Sequence, residues 1–117
     1  MGLLGWLLGG SAEAGTDRLK AEALMQKIKS GQKMVLIDVR QPEELTSPLG
    51  ALPGVKNIPL PDLGRRFAEI PKDRDVVLIC RSGHRSGQAL NFLKRQGYTR
   101  IQDVDGGMMA IRALPKK

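Results

Sequence analysis

Seven consecutive residues, Cys80-Arg81-Ser82-Gly83-His84-Arg85-Ser86, hold the only cysteine and the only histidine of the chain. A thiol acts as a nucleophile only when ionised, and an unperturbed one is largely protonated at neutral pH. The residues after Cys80 supply what would change that. Gly83 lets the backbone curl, so that successive N–H groups converge on one point and form an anion nest. Ser82 and Ser86 carry hydroxyl donors, and Ser86 or His84 could cap a following helix. Arg81 and Arg85 add positive charge beside the sulfur. The reading is an activated thiolate next to an anion site. The bland alternative makes Cys80 a small buried hydrophobe, the arginines solvated surface charges, and His84 a rim residue. A general-base role for His84 is open but not demanded.

Such a loop needs a strand to deliver the cysteine and a helix to point its N-terminus at the sulfur. Val76 to Ile79 is a short apolar run that reads as a buried strand, and Ala89, Leu90, Phe92 and Leu93 give helical spacing through about Gln96, with Gly97 as a stop. Elsewhere the pattern predicts a helix over 19–30, a strand over 34–39, a turn of helix at 43–45 and a short strand over 55–58. A helix capped by Asp62 is expected to run to about Ile70. A strand over 101–104 precedes Gly106-Gly107 and a final helix to about Leu114. Strands alternating with helices predict an α/β sandwich with a mainly parallel central sheet and helices on both faces. In such sheets ligands bind beyond the carboxyl ends of the strands, which is where Cys80 falls.

The residues Cys80 to Ser86 resemble the active-site loop of the rhodanese family of sulfurtransferases. Val35 to Leu45 (VLIDVRQPEEL) resembles that family's first strand and its Asp-x-Arg-x-Pro-x-Glu element. Gly50 to Leu60 (GALPGVKNIPL) is similar to the segment leading to Asn-Ile-Pro, and Asp105 to Ile111 (DGGMMAI) to the Gly-Gly element that opens the last helix. The likeness covers roughly residues 18–114. The chain departs from the pattern at Ala51, where His is frequent, and at Met108 and Ile111, where Trp is usual.

The resemblance implies a rhodanese-like three-layer fold over 18–117 and transfer of a sulfane sulfur from thiosulfate, or a similar donor, to cyanide or a thiol through a persulfide on Cys80. Arg81, Ser82, Gly83, His84, Arg85 and Ser86 would bind the donor. Arg81 stands where thiosulfate-using relatives tend to be basic, while Ser82 stands where a second basic residue is common. Asp38 and Arg40 are expected behind the loop, as supports or as a structural ion pair. No cofactor or metal is implied. A sulfur relay to a protein partner is one alternative. A phosphatase or arsenate reductase is another, but relatives of that kind carry Cys-x5-Arg, and Cys80 to Arg85 is one residue shorter.

Composition narrows the remaining classes. The chain has 117 residues, 19 Lys and Arg against 12 Asp and Glu, and 3% aromatic residues. That length suits one domain, and its core must be aliphatic. Through Gly64 the charges cancel, seven basic against seven acidic; the excess of +7 lies after that point, with Cys80. So few aromatics, with no recognised motif, argue against a nucleic-acid partner. One cysteine excludes an internal disulfide or a Cys-rich zinc site. Residues 1–17 read as an apolar segment and linker. Leu3, Leu4, Trp6, Leu7 and Leu8 are too short a run to span a bilayer and could dock weakly on a membrane or partner. A cytoplasmic location is expected, with export or membrane association through residues 1–14 as the alternative.

Overall fold

The computed structural model describes residues 17–115. In chain order its elements are β1 (Arg18–Leu19), α1 (Ala21–Lys29), β2 (Val35–Asp38), β3 (Lys56–Asn57), α2 (Leu63–Arg66), β4 (Val76–Ile79), α3 (His84–Arg95), β5 (Ile101–Val104) and α4 (Gly107–Arg112). The strands form one sheet in the order β1-β5-β4-β2-β3, and every pairing is parallel.

The central strand shows how the apolar runs become layers. All four residues of β4 are buried, as a strand covered on both faces requires. Val76 and Leu78 pack with Ile37, Leu63, Ala89 and Leu93, which places α2 and α3 on one face. Val77 and Ile79 pack with Leu24, Leu36, Met108 and Ile111, which places α1 and α4 on the other. The result is the three-layer α/β sandwich that the alternation of elements predicts. The same parity carries one residue past the strand: Cys80 joins Val76 and Leu78 on the face covered by α3. Met108 and Ile111, the two departures from the usual tryptophans, are buried members of the opposite core.

The structure corrects several boundaries. Leu19 does not begin a helix; with Arg18 it pairs in parallel with Asp103 and Val104, and α1 starts at Ala21. The segment 60–70 is not one helix but a 3-10 turn, a single α-turn and a second 3-10 turn. Gly64 weakens the α-turn, and Pro71 disfavours helical backbone at Ile70, which is extended. Asp62 pairs with Arg65 at 3.2 Å and makes no side-chain cap. The segment holding Leu3, Leu4, Trp6, Leu7 and Leu8 lies outside the described residues. Among the described residues, no helix is long and apolar enough to cross a membrane.

Candidate active site

β4 ends at Ile79, and α3 begins only five residues later at His84, so the connection must turn sharply. Gly83 makes that turn at φ +104, a left-handed conformation that other residues rarely adopt, and it is the N-cap of α3. The helix therefore starts earlier than the turn-rich sequence suggests. Ser86 sits inside its first turn, and neither Ser86 nor His84 caps it by side chain.

The curl brings donors onto the sulfur. The Gly83 amide donates to Cys80 Sγ at 2.9 Å, and Ser86 Oγ lies 3.5 Å from it. Cys80 is 1% exposed, at the floor of the loop. That burial pushes the thiol up, but the Ser86 hydroxyl and the amides of Ser86, Gly83 and Ser82 outweigh it, and the thiol lies below its ordinary value of 9.0. Backbone and hydroxyl dipoles thus do most of what the sequence assigns to the arginines.

The loop is held from the opposite side. The amides of Met108 and Met109, in the first turn of α4, donate to the carbonyls of Cys80 at 2.8 Å and Arg81 at 3.0 Å. In a trans peptide the N–H points opposite the C=O, so fixing the Arg81 carbonyl outward turns the Ser82 amide inward, and that amide is one of those that lower the thiol. Contact is so close that a Cβ on Gly107 would collide with the Cys80 oxygen and stand 2.7 Å from the Arg81 oxygen. Gly107 also has φ +56.

The other residues singled out by sequence divide into two groups. Arg81, Ser82 and His84 are exposed around the opening, and Ser86 is fully buried beneath it. Arg85 turns to Glu44, with both guanidinium ends on its carboxylate at 2.6 and 2.8 Å. This holds the Glu44 carboxyl down at about 2. Asp38 and Arg40 are fully buried and form a forked pair, Nε to Oδ1 at 2.9 Å and Nη2 to Oδ2 at 2.7 Å. Arg40 also donates to the carbonyls of Glu44 at 3.2 Å and Gly50 at 2.8 Å. The pair braces the segment that presents Glu44 to Arg85.

Sequence reasoning missed Arg18 and Asp103. Asp103 is fully buried and takes Arg18 Nη2 at 2.8 Å and the Ser86 hydroxyl at 2.9 Å, while Arg18 Nη2 also reaches the Gly83 carbonyl at 2.9 Å. A signal was present: an acid inside a strand of otherwise apolar spacing needs a buried partner.

A parallel sandwich with a thiol nested at a strand-to-helix turn defines a class of cysteine-dependent group-transfer domains. The Rhodanese-like domain model matches residues 20–114, and the chain belongs to that family. It is similar to a sulfurtransferase of Allochromatium vinosum, 39% identical over 80% of this chain and 86% of that protein. A putative sulfurtransferase of Bacillus subtilis is 37% identical over 79% of this chain and 86% of that protein. The crystal structure of a rhodanese-related protein from Thermoplasma volcanium superposes with a TM-score of 0.72 at 31% identity, covering 84% of this chain and 94% of that one.

Proposed function

We propose that the protein is a sulfurtransferase that moves a sulfane sulfur through a persulfide on Cys80, with thiosulfate as the donor. The observation that carries this reading is the sulfur held at 2.9 Å by the Gly83 amide, in a nest of donors that favours its anion. Family membership and the names of its relatives support sulfur transfer in general.

The Cys80 thiolate attacks the outer sulfur of thiosulfate. The S–S bond of the donor breaks, its electron pair leaves with sulfite, and a Cys80–S–S⁻ persulfide remains. An acceptor such as cyanide or a thiolate then attacks the outer sulfur, and Cys80 departs again as thiolate. Amide dipoles already fixed around the site stabilise both anions without reorganising. Arg81, exposed at the opening, attracts the dianionic donor. With the sulfur at the floor of a short loop, the slender end of thiosulfate suits the approach better than a tetrahedral phosphoryl group.

The test is thiocyanate production from thiosulfate and cyanide, beside Cys80→Ser. Wild type is expected to turn over and to gain the mass of one sulfur after thiosulfate treatment; the variant is expected to do neither. Rapid hydrolysis of an aryl phosphate, with no added sulfur, would sink the reading.

A further inference from the structure

The Ser86 hydroxyl has one proton and three acceptors within reach: Asp103 Oδ2 at 2.9 Å, the Gly83 carbonyl at 3.4 Å and Cys80 Sγ at 3.5 Å. Distance and charge both give the proton to the carboxylate. A neutral Cys80 is compatible with that arrangement, because its S–H can donate to Ser86 Oγ. The thiolate is less so: the Ser86 donation that lowers the thiol must be drawn away from Asp103, and a second negative charge arises beside a buried carboxylate. Arg18 works against Asp103: its Nε and Nη2 bind the two carboxylate oxygens at 3.1 and 2.8 Å.

We propose that Asp103 restrains the ionisation of Cys80 by holding the Ser86 proton, and that Arg18 sets how strong the restraint is. Asp103 is a positioning residue here; it acts on the sulfur through Ser86. Other charged or titratable groups face the loop as well. They are Arg81 within it, His84 and Arg85 on α3, Glu44 paired with Arg85, Asp105 after β5, and the Asp38–Arg40 pair at the end of β2. Arg18 and Arg85 both favour a negative Cys80. Ser86 is where the sulfur and the Asp103 carboxylate compete for one donor.

The arrangement suits a thiol that must both attack and leave. Thiolate nucleophilicity falls as acidity rises, and the best attacking thiol ionises near the ambient pH, whereas a more acidic thiol is the better leaving group. A nest with no restraint would favour departure over attack. That use rests on the persulfide reading above, but the restraint itself can be measured without any sulfur transfer.

The chain has a single cysteine, so the pH dependence of its alkylation by iodoacetamide reports Cys80 alone. Asp103→Asn is expected to lower the midpoint by about one pH unit, and Arg18→Gln to raise it by a similar amount. In a Ser86→Ala background, the Asp103→Asn shift is expected to shrink to less than half. A midpoint that stays or rises in Asp103→Asn would overturn the proposal. So would a full shift that survives Ser86→Ala, since the carboxylate would then act through space. Should Asp103→Asn not fold, Arg18→Gln decides, and an unchanged or lowered midpoint refutes the restraint. Opposed shifts without persulfide formation would keep the restraint and discard the sulfurtransferase reading.

Discussion

β2 and β4 lie side by side in register, with Asp38 opposite Ile79, and each ends in a polar turn; the two turns use their polar groups in opposite ways. After β2, everything closes on itself. The Arg40 guanidinium is shared among Asp38 and the carbonyls of Glu44 and Gly50. The Asn57 amide takes up the carbonyls of Asp38 at 2.9 Å and Arg40 at 2.8 Å. After β4, the carbonyls are tied outward to α4 and the amides converge on one sulfur atom. The first exit is scaffold and the second is reagent. A satisfied buried network fixes a shape, whereas donors aimed at one ionisable atom make a site.

Arg40→Ala is the largest expected break in that contrast. It would leave Asp38 buried and unpaired, which costs about 3–5 kcal/mol. A denaturant midpoint far below that of the wild type is the expected result, with Cys80 alkylation in the still-folded fraction little altered. A wild-type midpoint would show that the exit from β2 is not structural.

Gly107→Ala strikes the other exit. The new methyl would meet the main chain at Cys80 and Arg81, and it would stand on a left-handed residue. Displacing the loop by a fraction of an ångström is expected to lower thiocyanate formation by about a hundredfold. The accompanying loss of stability should be smaller than that of Arg40→Ala. Transfer at the wild-type rate would mean that α4 does not aim the loop amides.

The two exits were not equally legible in the sequence. Cys80 to Ser86 stands out because chemistry-bearing residues crowd together, and the parity of Val76, Leu78 and Cys80 follows from alternation alone. Asp38 and Arg40 are two residues apart, so their proximity could be expected. The Arg18–Asp103 pair could not, because 85 positions separate its members and β1 has only two residues, too few for any period to show. The start of α3 is hard to read from sequence for a related reason. A backbone amide carries no letter in the sequence, and the donors that matter most at this site are amides.

Glu44 joins the exits, since it belongs to the turn braced by Arg40 and holds Arg85 on α3. Its effect should be the smallest and the most dependent on pH. Hydrogen bonds from Arg85 lower its carboxyl from 4.5 to about 2 in the fold, against a smaller opposing effect of burial and with help from the Gln41 amide. A depressed acid stabilises the fold fully above its unfolded value. The benefit is then lost as pH falls through the folded one. Wild type should therefore exceed Glu44→Gln by a constant margin near neutral pH, and the margin should close between 4.5 and about 2. The side chains of the pair are 33% and 27% exposed, so solvent screening holds the margin to about 1 kcal/mol or less. Urea midpoints of the two proteins, taken stepwise into acid, measure it. A margin that widens on acidification would reverse the sign and remove Glu44 as the link. A margin that closes, with Cys80 alkylation unchanged by Glu44→Gln, would confine the link to holding α3 against the turn after β2, leaving the acidity of the sulfur to the loop and to β5.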